Sequence, residues 1–256
     1  MSKQRQSKFP KYDTLLSVKL SSTTETEVLK ILESCLRKDV QLFISTPNPE
    51  IVLQAQSDKK LLSSLNKADI AIPDGIGLLW AAKRLNFPYK LNRIAGRKLV
   101  ESIFLLSNRK KYKVFLLGAS EKVNNKALKK LNKKFPKIKA KGTSDINVDI
   151  EGKSDDNEVV KQINDFKPHI LLVALGAPKQ EKWVAANLRK LNVGAVMVVG
   201  GSLDYFAGTV PMVPTFISSK GLEWLWRLIT QPSRFPRIFN AVVRFPLFVI
   251  THRNDR

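Results

Sequence analysis

Chemistry in this chain is concentrated in short polar stretches that follow runs of apolar residues. The foremost is Ile70-Ala71-Ile72-Pro73-Asp74-Gly75-Ile76-Gly77. A β-branched run ends in proline, an aspartate follows, and two glycines open a helix-like segment, Leu78–Leu85. In an α/β protein this puts Asp74 just past the carboxyl end of a parallel strand, where open sheets bind ligands. Asp74 then either caps the following helix or serves as a general base, and the glycines let backbone approach a substrate. Three further turns have the same design. Thr46-Pro47-Asn48-Pro49-Glu50 offers a hydroxyl, an amide and a carboxylate. Gly176-Ala177-Pro178-Lys179-Gln180 is a glycine turn with proline near a helix start, and Gly200-Gly201-Ser202-Leu203-Asp204 is a second glycine-rich turn. Four such turns on one sheet edge would describe a site.

Other chemistries lack their residues. The single Cys35 leaves no internal disulfide and no cysteine metal cluster, and with only two histidines, His169 at a strand start and His252 near the terminus, neither a His-built zinc site nor a Ser-His-Asp triad is expected. No Asp-x-Asp motif stands out, since Asp145 and Asp149 fall in a polar, acidic stretch expected to be a surface loop (Gly142–Asp156), so no metal site is expected. Gly118-Ala119-Ser120 follows a strand, but the full G-x-G-x-x-G fingerprint of a nicotinamide-dependent oxidoreductase is missing. The formal net charge of +22 calls for an anionic partner, either nucleic acid or an anionic membrane surface. A nucleic-acid-binding protein would interleave basic and aromatic residues, whereas the aromatics here cluster near the carboxyl terminus, which favours membrane over nucleic acid. The basic amino terminus has no apolar run of a signal peptide, and no window reaches about 18 uninterrupted apolar residues. The expectation is a cytoplasmic protein held on the inner face of the membrane.

The elements that must position these turns alternate. A strand is expected over Thr14–Leu20, then a helix over Glu25–Lys38 capped by Thr23 or Thr24, with Val28, Leu29, Leu32 and Leu36 at helical spacing. Buried strands follow at Val40–Ser45, before Asp74, and at Lys113–Leu117, Ile170–Leu175 and Ala195–Val199, with helices between them. The pattern predicts an α/β, Rossmann-like, mostly parallel sheet flanked by helices over residues 1–218. Over 219–256 the alternation stops. Gly221–Ile229 reads as a helix apolar around most of its circumference, and Pro232-Ser233 interrupts it, with Ser233 expected to cap a second helix. At about 100° per residue, Arg234, Arg237 and Arg244 share roughly an 80° arc, with Ile238, Phe239, Val242, Val243 and Phe245 beside it. Phe245–Ile250 is a further apolar run broken by Pro246. A basic stripe beside an apolar face reads as a helical membrane-binding appendage, its alternative being a helix packed on the core.

Taken in order over nearly the whole chain, these segments resemble the WecG/TagA/CpsF glycosyltransferase family. The resemblance rests on Thr46–Glu50, Pro73–Gly77, Arg93-Ile94-Ala95-Gly96, Gly176–Trp183, Gly200–Gly208, and Gly221-Leu222-Glu223-Trp224-Leu225 with Arg227. It implies an inverting transferase that moves an N-acetylmannosamine-type or related sugar from a UDP-sugar to a polyprenyl-diphosphate-linked saccharide in surface polysaccharide or teichoic acid synthesis. Asp74 would then be the general base, with Thr46 beside it as the second catalytic residue. Thr46 and Asn48 would line its pocket together with Arg93, Gly176, Gly200, Gly201 and Asp204. Gln180 would contact donor or acceptor, and Arg227, Arg234 and Arg237 would meet diphosphate. Arginine would replace metal as leaving-group stabiliser, with no cofactor needed. The family's Gly-x-Asp-Leu carries Lys98 here at the acidic position, and its Arg-Ala-Pro reads Met212-Val213-Pro214. Both departures bear on the sugar or the acceptor. A homo-oligomer is compatible with the sequence, though no residue points to one.

Overall fold

The computed structural model describes residues 9–214, 216–217 and 221–252. The expected boundary at 218/219 and the basic residues of the extreme amino terminus lie outside them. Six strands form a wholly parallel sheet: β3 (Leu42–Ser45), β4 (Ile70–Ala71), β5 (Lys113–Gly118), β6 (Lys139–Thr143), β7 (Ile170–Ala174) and β8 (Ala195–Val198), in the order β4-β3-β8-β7-β5-β6. Because β3 leads outward to β4 while β8 is reached from the other half of the sheet, a crevice opens at their carboxyl ends. The inner strands are continuously buried, which is why they read as unbroken apolar runs.

Helices cover both faces. On one lie α1 (Glu25–Arg37), α5 (Gly96–Lys110), α6 (Glu121–Lys134) and the short α9 (Ser202–Ala207), contributing Leu32, Phe104, Leu131 and Phe206 to a common core. Thr24 starts α1 through a full capping box with Glu27. On the other face α7 (Asn157–Phe166) and α8 (Lys179–Asn187) bury Ile163, Trp183 and Val184 against Phe43, Phe115 and Leu171. A third core joins α2 (Pro49–Ala55), α3 (Lys59–Asn66) and α4 (Ile76–Arg84) to the amino-terminal segment.

Some expectations are corrected. Thr14–Leu20 is not one strand but an antiparallel hairpin outside the main sheet, β1 (Tyr12–Leu15) and β2 (Val18–Ser21). Its turn residues Leu16 and Ser17 have φ of +50° and +61°, a conformation that sequence usually signals with Asn-Gly. Strand β6 overlaps the start of the expected Gly142–Asp156 loop; as a sheet edge its Lys139-Ala140-Lys141 shows no apolar run. Much of that loop is pinned rather than merely solvated. Asn187 donates to buried Asp156 at 2.6 Å, and buried Lys182 meets Asp58 at 2.7 Å and the Ile150 carbonyl at 3.0 Å.

At the carboxyl end α10 (Glu223–Thr230) is followed by a 3-10 turn, Pro232–Arg234, and α11 (Phe235–Phe239). Ser233 lies inside that turn, and no side chain caps α11. A π-helical turn, Asn240–Arg244, then runs straight into α12 (Phe245–Thr251), so Pro246 does not break the run. Proline in a first turn gives up only an N–H, and the wider π turn before it accommodates its ring. Phe245, expected on the membrane-facing arc, is instead fully buried with Val249 in the third core, while Phe239, Val243, Leu247 and Ile250 remain exposed. No helix among the described residues is long and apolar enough to cross a membrane.

Candidate active site

The loop after β4 is built by close packing. Asp74 N–H donates to the Pro47 carbonyl at 2.8 Å, which ties it to the turn after β3. Gly75 has φ +111°, a conformation that favours glycine, and a Cβ there would stand 3.3 Å from the Pro49 ring, a tight contact. Gly75, not Asp74, is the N-cap residue of α4, and no side chain caps that helix. The capping alternative for Asp74 is therefore overturned. Its carboxylate instead accepts from the backbone N–H of Gly96, at the start of α5. Desolvation pushes the Asp74 carboxyl above its ordinary range and Glu223 adds to the shift, while Arg227, Arg93 and the Gly96 N–H pull the other way.

Around Asp74 the turns converge. Thr46 Oγ1 donates to the Val198 carbonyl at 3.4 Å across β3 and β8, and Asn48 caps α2 by accepting from the Ile51 N–H at 3.0 Å. Gln180 is buried at the start of α8: its Oε1 accepts from the Gly200 N–H at 3.1 Å, and its Nε2 donates to Glu181 Oε1 at 2.9 Å. Gly200 holds φ +46°, which turns this N–H back toward Gln180. Thr46, Asn48, Asp74, Gly176, Gln180, Gly200, Gly201, Asp204, Arg227, Arg234 and Arg237 all line one polar cavity of about 350 Å³. Arg93 lines an adjoining cavity that shares Asp74 and the three arginines.

The arginines come from the appendage. Arg227 stacks over the Tyr205 ring at 5.5 Å; burial works against its charge, but Tyr205, Asp74 and Glu223 outweigh this and strengthen its hold on the proton. Burial, together with Arg227 and Arg237, lowers the pKa of Arg234, a crowding of like charge that an anion would relieve. Arg237 Nε donates to Glu50 Oε1 at 2.8 Å. Arg244, the third member of the basic stripe, is exposed beside Asn240 and does not line the cleft. Glu223 of α10 accepts from Arg93 at 2.5 Å and Arg97 at 2.8 Å, which clamps the appendage to the body. Asp204 lies near Arg234; burial raises its pKa and the arginine opposes the shift.

Among the cleft residues that escaped the sequence reading are two with polar, chemically active side chains. Tyr205 is one. The other is Glu181, buried, with Oε2 lacking any protein partner; burial raises its pKa to about 7, offset in part by Gln180 and Arg237. Gln180, Glu181, Lys182 and Trp183 are four successive buried residues, so no periodicity marked any one of them. Among the described residues no group of three or more His, Cys, Asp and Glu side chains could hold a metal ion.

Fold and cleft together define an α/β enzyme whose sheet crevice sets a carboxylate opposite several guanidinium groups. A model of the Glycosyl transferase WecG/TagA/CpsF family matches residues 14–256; the chain belongs to this family and is a glycosyltransferase. It is similar to the N-acetylglucosaminyldiphosphoundecaprenol N-acetyl-beta-D-mannosaminyltransferases of several bacteria. Identity is 32% to that of Bacillus subtilis (strain 168), covering 95% of this chain and 93% of the relative. It is 36% to that of Bacillus spizizenii, covering 82% and 79%, and 32% to that of Staphylococcus aureus (strain MRSA252), covering 88% and 87%.

Proposed function

We propose that this enzyme moves an N-acetylmannosamine-type sugar from a UDP-sugar to a hydroxyl of a polyprenyl-diphosphate-linked saccharide, with inversion, in surface polysaccharide or teichoic acid synthesis. The observation that carries the reading is the single cleft in which Asp74 and the Thr46, Gln180 and Gly200 turns meet arginines of the appendage. Asp74 removes the proton from the acceptor hydroxyl. That oxygen bonds to the anomeric carbon as the bond to UDP breaks, and the electron pair leaves on the diphosphate. Arg227, Arg234 and Arg237 offset the charge that develops there, without a metal ion. Thr46, Asn48, Gln180, Gly176, Gly200, Gly201 and Asp204 shape the donor pocket, and Arg93 lies on the acceptor side. The relatives' names, which specify a polyprenyl-diphosphate-linked N-acetylglucosamine as acceptor, support this choice of substrate.

The protein works peripherally on the inner face of the cell membrane. Support comes from exposed Phe239, Val243, Leu247 and Ile250 on the terminal helices and from the large positive charge, a pairing suited to anionic lipid. The test is sugar transfer from a panel of UDP-sugars to diphosphate-linked N-acetylglucosamine on anionic vesicles, with and without EDTA. UDP release coupled to acceptor glycosylation, unaffected by EDTA and accompanied by co-sedimentation with the vesicles, is expected. Transfer only from another nucleotide's sugar, or only to a lipid-free acceptor, would overturn the assignment.

A further inference from the structure

The proposed chemistry leaves one buried oxygen of the polar cleft unused. Asp74 accepts from the Gly96 N–H, but Glu181 Oε2 has no protein partner although the residue is only 2% exposed. The side chain is held all the same. Its Oε1 accepts from Gln180 Nε2 at 2.9 Å, and Gln180 Oε1 accepts from the Gly200 N–H at 3.1 Å. This chain of hydrogen bonds, running from the turn after β8 to the start of α8, fixes both head groups. Because the Gly200 N–H claims the Gln180 oxygen, the amide nitrogen faces Glu181 and keeps a second N–H to give. Both side chains line the cavity, so an N–H donor and a lone acceptor oxygen stand side by side there. Buried polar atoms are normally paired, and an unmet one in a cavity wall is a place for a ligand to supply the partner. Glu181 also feels the charges of Arg237 and Glu50, and both of these line the adjoining cavity with Asp74, which sets Glu181 on the Asp74 side of the cleft.

A partner for this pair must donate to a carboxyl oxygen and accept from an amide N–H within one small volume. A hydroxyl does both. A phosphate oxygen only accepts and carries charge of the same sign as the carboxylate, so the diphosphate belongs with the arginines instead. We propose that Glu181 selects the donor hexose: its free oxygen accepts from one ring hydroxyl of the sugar being transferred, and the Gln180 amide donates to that same hydroxyl. This rests on the transferase reading above and deepens it by naming the group that tells one UDP-hexose from another. A hydroxyl also suits either protonation state, since it accepts from the acid as readily as it donates to the carboxylate. With burial raising the Glu181 pKa to about 7, both states occur near neutrality. Discrimination follows from the burial. A hexose that lacks the hydroxyl, or turns it away, leaves the carboxyl unpaired in a site from which water is excluded, and sites of this design reject the defective substrate strongly. The bonds from Gly200 through Gln180 keep the acceptor from swinging round to another partner.

The probes are UDP, UDP-N-acetylmannosamine and its 3-deoxy, 4-deoxy and 6-deoxy analogues, titrated into the full chain by calorimetry at pH 8, where the Glu181 carboxyl is mostly ionised. Two variants alter the acceptor. Glu181→Leu removes it, and Glu181→Gln exchanges a charged acceptor for a neutral amide; melting curves and circular dichroism establish that each is folded. In wild type one deoxy analogue is expected to bind about tenfold or more weaker than the parent, as for loss of a hydrogen bond to a charged group. Glu181→Leu should erase that difference and Glu181→Gln should shrink it several-fold, both with UDP affinity unchanged. If the leucine variant does not fold, Glu181→Gln decides alone. A difference that persists in full in a folded variant, or three analogues that all bind like the parent, would overturn the proposal. So would a loss of UDP affinity as large as that of the sugar nucleotide in both variants, because Glu181 would then support the nucleotide or the fold rather than the sugar. Transfer from UDP-N-acetylmannosamine with no hydroxyl preference at Glu181 sinks this inference alone. A chain that neither binds nor transfers that donor sinks the transferase reading and the inference with it.

Discussion

Replacing Asp74 by asparagine separates its proposed chemical role from its structural one. Asparagine has nearly the same shape and keeps an oxygen that can accept from the Gly96 N–H, so the loop tied to Pro47 should hold. The wild-type carboxyl has its pKa raised by desolvation, so ionisation costs more in the fold than in the unfolded chain. A group shifted upward favours the folded state at low pH, and that contribution is lost as pH rises through the shifted value. The Asp74→Asn change removes this loss, so the variant's melting temperature at neutral pH should match or exceed wild type. Activity should move the other way. Removing a general base costs about 100-fold or more, roughly 2.7 kcal/mol of transition-state stabilisation. The assay is single-turnover UDP release with saturating acceptor, beside a melting curve and a UDP-sugar binding isotherm. Turnover within a few-fold of wild type would refute the base assignment. A parallel fall in stability and donor binding would show instead that Asp74 is architecture.

Glu181→Gln should lose the pH dependence that a buried carboxyl imposes on stability. The gap between 4.5 and about 7 corresponds to about 3 kcal/mol of ionisation cost, fully felt only above pH 7, so the variant should gain on wild type as pH rises from 5 to 8 in denaturant titrations. An unchanged stability difference across that range would exclude a titrating Glu181. Phe245→Ala should cost about 3–5 kcal/mol, measured by chemical denaturation, because its ring fills the third core rather than facing lipid. A loss below about 1 kcal/mol would return that residue to the surface.

How much could be read from the residues alone depended on whether an element announced its burial. Continuous apolar runs such as Ile170–Ala174 lie inside the parallel sheet, and the polar turns after them had to fall on one edge once the strands were parallel. That reasoning located the cleft without any contact being known. It failed where conformation was set by something other than composition. The β1–β2 turn uses left-handed Leu16 and Ser17, with no glycine to mark it. Strand β6 needs only an edge and carries lysines. Phe245 shares a helical arc with exposed neighbours, but the π turn at Asn240–Arg244 changes the angular step and rotates it inward. Glu181 was hidden because α8 is covered on several sides, so polar and apolar residues are buried alike.

The charge arrangement links the base to the leaving group. Arg227 and Arg93 lower the proton affinity of Asp74, against the larger effect of burial. In the proposed reaction, arrival of diphosphate engages the arginines and diverts part of that positive field from Asp74. The bound substrates also displace water, and both changes raise the carboxylate's proton affinity. Asp74 thus becomes a stronger base once both substrates are seated. The pH profile of kcat/KM reports the free enzyme, and that of kcat the complex. The ionisation on the acidic limb should therefore appear at higher pH in kcat than in kcat/KM. Coincident limbs would mean that the arginines do not act on Asp74 through the substrate, and base and leaving-group stabilisation would have to be treated as independent.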